Sequence, residues 1–228
     1  MNTKAQIALV LLTSLFVISS CRENESNEPT VTCNFVDFRY YHDEQVSIGE
    51  MSNEYILLAS DTINSDFLIT SLIESKDYFD KTYDYEIVKP SNYKYKHIVV
   101  KLNTESNCIK ITKFMQDLEL SSIIDYVHYT MDTEFCTNFL GEPMGEKCVV
   151  SYGSNFYVKV NDADDLTDLY DVIQETNTYF EYQNEFMPEW CRLRADKNSK
   201  NNALQMANYF YETNKFLAVD YGFYRIPV

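Results

Sequence analysis

The alternation of apolar and polar residues over positions 155–223 predicts the order strand, helix, strand, strand, helix, strand. Phe156, Val158 and Val160 alternate with more polar residues, which is the two-residue period of a half-buried strand. The helix that follows carries its apolar residues on a single stripe: Leu166, Leu169, Tyr170 and Ile173. Strands are predicted next at 179–182 and 190–195. A second helix, capped by Asn202, precedes a last strand at 217–221, and its apolar face is Ala203, Met206, Ala207 and Phe210.

The same order of elements is predicted once before along the chain. A strand at 54–59 and a helix at 66–75 precede strands at 83–88 and 97–102, a helix capped by Asn107, and a sixth element at 124–129. Helices with one apolar stripe cover one face of a sheet only. The predicted fold is therefore α+β, with two tandem ferredoxin-like (βαββαβ) modules whose antiparallel sheets carry helices on one face.

The expected organisation has five parts. A lipoprotein signal peptide occupies 1–20, and a disordered tether occupies 21–30. A first module with an N-terminal hairpin spans 31–135, a linker spans 136–150, and a second module spans 151–228. The core of the second module is predicted to contain Phe156, Val158, Val160, Leu166, Leu169, Ile173, Leu193, Met206 and Phe210.

The first twenty residues have the pattern of a secretory signal. One lysine precedes an apolar run from Ile7 to Ile18, and small residues lead to Cys21. The run is shorter than the ~20 residues that a membrane-spanning helix needs. We expect Cys21 to become the lipidated first residue and to anchor the protein in a membrane. The alternative is an ordinary signal peptide followed by an incidental cysteine.

The segment after Cys21 is polar and acidic, which is typical of a disordered tether. Arg22-Glu-Asn-Glu25 resembles the export signal that places lipoproteins on the cell surface in Bacteroidota. We expect an outer-membrane, lipid-anchored protein at the cell surface, and otherwise one that faces the periplasm. The net charge of the whole chain is −16, which argues against nucleic acid as a partner.

Five cysteines remain once Cys21 is lipidated, so at least one thiol has no partner within the chain. Cys136 and Cys148 are the best candidates for a disulfide because they would close a short loop. Cys191 falls on the inward side of an alternating strand, where a buried and unreactive thiol is expected. No CxxC motif occurs and the cysteines and histidines are not clustered, so neither a zinc site nor another cofactor is predicted.

Other polar residues give weaker signals. His97 and His128 fall in predicted strands and are expected to be structural. An aspartate-rich run from Asp162 to Asp171 lacks the glycine and the terminal glutamate of a calcium loop, and acids at the start of a helix stabilise its dipole. Thr62 lies in an Asp-Thr-Ile run that matches the O-glycosylation pattern of exported Bacteroidota proteins.

Three runs in the second module resemble the N-terminal propeptide region of Bacteroidota subtilisin-like serine proteases. They are Asn155-Phe-Tyr-Val-Lys-Val, Gln183-Asn-Glu-Phe-Met-Pro-Glu-Trp190 and Asn202-Ala-Leu-Gln-Met-Ala-Asn-Tyr-Phe-Tyr-Glu-Thr213. The resemblance covers 155–223 and is fainter over 38–124. The catalytic runs of that family, Asp-Ser/Thr-Gly, His-Gly-Thr-His and Gly-Thr-Ser-Met-Ala, do not occur, so we expect no enzyme and no catalytic residues.

The resemblance implies a non-catalytic surface lipoprotein that binds or inhibits a subtilisin-like protease. In such propeptides the sheet face packs on the protease and an extended C-terminal tail enters the active-site cleft. The corresponding tail here is Tyr221, Gly222, Phe223, Tyr224, Arg225 and Ile226. Two alternatives stay open: an outer-membrane adhesion module that binds glycans or another surface protein, and a fragment of the protease family without a partner.

The lipid anchor can be tested directly. Cells fed a fatty-acid analogue should label the wild-type protein, and Cys21→Ala should abolish the label because it removes the acceptor thiol. Cys191→Ala is the matched control, since it removes a thiol that lies outside the signal. A labelled Cys21→Ala protein would mean that the segment is an ordinary signal peptide.

Overall fold

The computed structural model describes residues 31–89, 94–138 and 140–228. The signal peptide, Cys21 and the tether lie outside these residues. The described elements are β1 (Phe38–Tyr41), β2 (Glu44–Ser47), β3 (Met51–Asp61), α1 (Asp66–Ser75), β4 (Tyr95–Lys101), α2 (Cys108–Glu119), β5 (Tyr126–Thr133), β6 (Cys148–Lys159), α3 (Thr167–Thr176), β7 (Tyr179–Gln183), β8 (Trp190–Arg194), α4 (Ala203–Glu212) and β9 (Ala218–Pro227).

The fold is a mixed α and β structure with antiparallel sheets and four helices among the described residues. Seven strands form one sheet in the order β4-β3-β5-β6-β8-β7, with β9 also paired to β6. β1 and β2 form a separate antiparallel hairpin, as the sequence predicts. All strand pairs in the large sheet are antiparallel.

Strand β6 is the centre of the sheet. Its first residues pair with β5, where Ser151 faces Thr130, and its last residues pair with β8, where Phe156 faces Leu193. β9 pairs with both halves of β6, with a shift of register between Tyr152 and Phe156. Because a strand has two edges, β5 and β8 follow one another along one edge of β6 while β9 occupies the other.

The predicted linker at 136–150 extends three residues too far at its C-terminal end. Residues 148–150 already belong to β6, and Cys148 pairs with Thr133 of β5 and with Pro227 of β9. A disulfide joins Cys148 to Cys136, the pair favoured by the sequence, with Cα atoms 5.0 Å apart. A second disulfide, which the sequence did not single out, joins Cys33 to Cys108 at the start of α2.

Helix starts follow the local chemistry of the chain. The side chains of Ser65, Asn107 and Asn202 accept hydrogen bonds from the main chain at the beginnings of α1, α2 and α4. α3 begins after Leu166 without such a bond. Each helix directs a narrow apolar stripe towards the sheet, which leaves the opposite face of the sheet without helices.

Two apolar clusters lie between the helices and the sheet. One contains Ile56, Leu58 and Ile98 together with the stripes of α1 and α2. The other contains the predicted core residues Phe156, Val158, Val160, Leu169, Leu193, Met206 and Phe210, all of them buried. Leu166 and Ile173 are only partly buried at its border. Cys191 is fully buried in the same cluster, and burial raises the pKa of its thiol, so the expected unreactive environment is present.

A third, smaller cluster lies on the helix-free face. Its buried members are Tyr55, Leu57, Val99 and Val149, and Ile226 packs against them. Three strands separate β4 from β9 in the sheet, which corresponds to about 19 Å in a flat sheet. Yet the rings of His97 in β4 and Tyr224 in β9 have centroids only 4.6 Å apart. The sheet is therefore strongly curled, and the end of β9 lies over the helix-free face of β4.

The predicted free tail is wrong. Residues 221–227 belong to β9, and Val228 donates a hydrogen bond to the carbonyl of Lys147. The physical reason is that the tail satisfies its main chain along β6 and buries Ile226 against Val149. Residues 221–227 therefore do not form an extended segment free to enter a cleft.

The strand predicted at 83–88 is also wrong as a regular strand. Only isolated bridges join this segment to β4, at Val88 with His97 and at Phe79 with Leu102. Eight residues, 80–87, separate the first members of these pairs, whereas four residues, 98–101, separate the second. Of the extra residues, Asp80 donates a main-chain hydrogen bond to the carbonyl of Lys101, and residues 81–87 have no main-chain bond to β4, so this part of the segment bulges away from the sheet. The sixth predicted element at 124–129 appears two residues later as β5.

Leu169 tests the assignment of the second core. Leu169→Ala should lower the free energy of unfolding by about 2–5 kcal/mol, because it leaves a cavity under α3 where the side chain is fully buried. Leu120→Ala is the matched control, since Leu120 is 86% exposed. Urea denaturation of both variants measures the difference. Equal effects of the two substitutions would contradict the predicted packing of α3.

Candidate functional site

The positions predicted from sequence fall in three places. Cys21 lies outside the described residues. Thr62 is half-buried in the turn after β3, where its N–H donates to the carbonyl of Lys94 over 2.9 Å. The Cys136–Cys148 loop and the predicted tail are the two that the structure brings together, because residues of both line one pocket.

This pocket has a volume of about 700 Å³ and lies on the curled, helix-free side of the sheet. Its walls come from the bulged segment before Lys89, from β4, from the loop after Cys136 and from the end of β9. Apolar side chains make up most of the lining, among them Val88, Val99, Met144, Phe223, Ile226 and Pro227. A concave, mostly apolar pocket of this size has the dimensions of a site for a small molecule.

The pocket follows from two departures from a flat, regular sheet. The bulge at 81–87 removes the strand that would otherwise cover the edge of β4. The curl of the sheet places Tyr224 against His97, and this contact forms the wall of the pocket opposite the bulged segment. Gly153 allows this approach, because a Cβ atom at that position would lie 2.4 Å from Cε2 of Tyr224.

Arg225 is the cationic group in the lining. Its Nη1 donates a hydrogen bond to the carbonyl of Thr137 over 2.6 Å. Its Nε is buried and has no hydrogen-bond partner among the described residues, and no described carboxylate forms an ion pair with it. Glu86, on the bulged segment, also lines the pocket but is exposed to solvent. The partly buried guanidinium thus has no carboxylate partner among the described residues.

Two buried histidines lie under the same face. Burial lowers the pKa of His97, which lines the pocket, to about 4. Burial also lowers the pKa of His128 to about 3, and repulsion from a protonated His97 acts in the same direction. Both rings are therefore neutral near pH 7. Nε2 of His128 lies 3.1 Å from Oγ of Ser154, but both residues are buried, so a substrate does not reach this pair.

A second surface on the helix-free side is built from arginine and tyrosine, and both arginines are largely buried: Arg192 is 8% exposed and the side chain of Arg194 is 12% exposed. We call it the Arg–Tyr face: Tyr157, Tyr179, Glu181, Tyr182, Arg192 and Arg194. The Arg194 guanidinium lies 4.3 Å from the ring centroid of Tyr179, and that of Arg192 lies 5.7 Å from the centroid of Tyr182. Glu181 lies between them, with its carboxylate 3.0 Å from Nε of Arg192 and 3.5 Å from Nε of Arg194.

The aspartate-rich run before α3 is used locally. Asp162 and Asp165 accept hydrogen bonds from the main chain of Asp164 and Thr167, and Asp168 forms an ion pair with Lys215. Across the described ranges, no group of histidine, cysteine, aspartate or glutamate residues has the placement of a metal site. The helices of residues 31–228 that the structure describes include none long and apolar enough to span a membrane.

Sequence reasoning did not find the pocket or the Arg–Tyr face. The available signal for the face was the placement of Arg192 and Arg194 at alternate positions of a predicted strand, opposite the inward Cys191 and Leu193. No comparable signal exists for the pocket, because it depends on the curl between β4 and β9. These strands lie more than a hundred residues apart in the sequence.

Comparisons with known proteins add no functional assignment. No protein-family model matches this chain, and no curated protein matches it. Among solved structures, the acetolactate synthase small subunit from Thermotoga maritima aligns with 76% of this chain and 95% of its own length, at 8% sequence identity and a TM-score of 0.28. A similarity this weak carries no argument about fold or function.

The buried histidines predict a dependence of stability on pH. Below about pH 6.5 the unfolded chain protonates His128, whereas the folded protein does so only near pH 3, so stability is lost as the pH falls through this window. His128→Gln should therefore lose less free energy of unfolding between pH 6.5 and pH 4 than the wild type. His42→Gln, which changes an exposed ring, is the matched control.

Glu119 acts with the opposite sign and must be measured separately. Burial raises the pKa of its carboxyl to about 7. The folded protein thus keeps this proton where the unfolded chain has released it, and the associated stability is lost as the pH rises from about 4.5 to 7. Glu119→Gln should flatten that part of the urea-denaturation profile. An unchanged profile in both His128→Gln and Glu119→Gln would contradict the burial of these groups.

Proposed function

We propose that this chain is a non-catalytic, lipid-anchored surface protein built from two tandem ferredoxin-like modules. The strand orders support the tandem plan. In the second half of the chain, the neighbours in the sheet are β9-β6-β8-β7, which are the fourth, first, third and second strands of that module in chain order. In the first half, the neighbours are β5-β3-β4, which are the fourth, first and third strands. The bulged segment occupies the position of the second strand there. In this proposal, the two modules share one sheet through β5 and β6.

Cys21 attaches the mature protein to the outer membrane through its lipid, and the acidic tether presents the folded part at the cell surface. This part of the proposal depends on the sequence pattern of residues 1–25. Stable anchoring by more than one acyl chain is compatible with a folded part whose described helices are too short or too polar to span a membrane.

The function proposed is binding of a protein partner through the Arg–Tyr face. The single observation that carries it is the group of tyrosine rings held by two largely buried arginines, on a sheet face that no described helix covers. Arginine and tyrosine are enriched in the energetically dominant parts of protein interfaces. Their cation–π contacts and the shared Glu181 hold the guanidinium groups in place, which reduces the entropy lost on binding.

A subtilisin-like protease is the first partner to test, because the three runs in the second module resemble propeptides of that family. In those propeptides the sheet face packs on the enzyme, and the Arg–Tyr face occupies the corresponding side here. The tail does not make the contact in this proposal, because residues 221–227 are paired with β6. The alternative partner is another surface protein, bound through the same face by an adhesion module.

The experiment titrates the mature protein against subtilisin-like proteases of Bacteroidota and measures inhibition and complex formation. Tyr179→Ala combined with Arg194→Ala should weaken binding about tenfold or more, because it removes a stacked pair from the face. Tyr41→Ala is the matched control, since Tyr41 is an exposed tyrosine of the hairpin.

Two results would contradict parts of this proposal. If none of the proteases binds, the protease is not the partner, and a pull-down of surface proteins with the same variants then tests the adhesion alternative. If a partner binds the wild type and the double variant equally well, the Arg–Tyr face is not the binding surface. Thermal unfolding of each variant establishes that a loss of binding does not reflect a loss of folding.

A further inference from the structure

The pocket on the curled side of the sheet is separate from the Arg–Tyr face and has no part in the proposed protein contact. It lies between β4, the bulged segment, the disulfide-closed loop and the end of β9. We propose that it binds a small apolar carboxylic acid, with the carboxylate at Arg225 and the apolar body against Val99 and Ile226.

The size and lining of the pocket support an apolar ligand. About 700 Å³ of space is bordered by Val88, Val99, Met144, Phe223 and Ile226. Burying a ligand's hydrocarbon against these side chains yields about 25 cal/mol for each Å² removed from water. His97 adds no charge near pH 7, because burial keeps its pKa near 4. The largest part of the wall thus favours an uncharged, apolar body.

The charge in the lining supports a carboxylate rather than an alcohol or an amine. Arg225 lines the pocket, donates one hydrogen bond from Nη1 to the carbonyl of Thr137, and forms no ion pair with a described carboxylate. A guanidinium group offers donors in a fork that matches a carboxylate. Glu86 is exposed, so solvent screens its repulsion of an anion, whereas the partly buried Arg225 is screened less.

The test uses the full mature chain with Cys21→Ser, so that neither lipid nor detergent is present. Dodecanoate below its micellar concentration is titrated by calorimetry, with dodecan-1-ol as the uncharged analogue of the same length. We expect saturable binding of dodecanoate that is about tenfold or more tighter than that of the alcohol. Displacement of anilinonaphthalene sulfonate from the pocket gives an independent readout.

Variants separate the charge from the apolar wall. Arg225→Gln should weaken dodecanoate about tenfold and leave dodecan-1-ol unchanged, because only the acid uses the guanidinium. Met144→Trp should weaken both by filling the pocket. Arg39→Gln is the matched control, since Arg39 stacks on Tyr41 in the hairpin and does not line the pocket.

A labelling experiment on the otherwise unchanged chain keeps the inference testable if a variant fails to fold. A dodecanoate analogue with a photoreactive diazirine should attach to residues of the bulged segment or of β9, as located by mass spectrometry. Absence of saturable dodecanoate binding, or attachment only elsewhere, overturns the proposal. Equal binding of acid and alcohol, unaffected by Arg225→Gln, overturns the role of Arg225. None of these outcomes depends on the Arg–Tyr face, so the two proposals fail separately.

Discussion

The pairing of β6 on both of its edges is the constraint on which the structure depends. One edge bonds first to β5 and then to β8, and the other bonds to β9 along almost its whole length. The same strand contributes Val149 to the cluster on the helix-free face and Phe156 to the cluster under α3 and α4. The two halves of the chain are therefore joined by main-chain hydrogen bonds and by packing on both faces of one strand.

Local periodicity predicts most of the elements because it reflects which face of each element is buried. The stripes of α2 and α4, the caps Asn107 and Asn202, and the alternation around Phe156 all appear in the structure. The predictions fail where the structure of a segment depends on strands that are distant in the sequence. Residues 148–150 show no alternation because Cys148 and Val149, which point to opposite faces of the sheet, are both fully buried. Segment 83–88 has the composition of a strand, yet its spacing between Phe79 and Val88 does not fit β4.

Both proposed binding surfaces lie on the side of the sheet that the described helices leave open. The chain is acidic, with a net charge of −16, and has five arginines. Arg192 and Arg194 lie on the Arg–Tyr face and Arg225 lines the pocket, so three of the five arginines belong to the two proposed binding surfaces. The two surfaces differ in kind. The arginines of the Arg–Tyr face form ion pairs with Glu181 and Asp196, whereas Arg225 in the concave pocket has no carboxylate partner among the described residues. The two proposals therefore assign a large partner and a small one to different parts of one sheet.

Gly153 links the centre of the sheet to the shape of the pocket. It lies in the irregular stretch between the two halves of β6, and the ring of Tyr224 occupies the space that a side chain would need. A side chain at position 153 would displace the ring of Tyr224 towards His97 and reduce the volume of the pocket. In the proposed binding site, the choice of ligand can therefore change during evolution through position 153, which does not line the pocket, even where the lining residues stay the same.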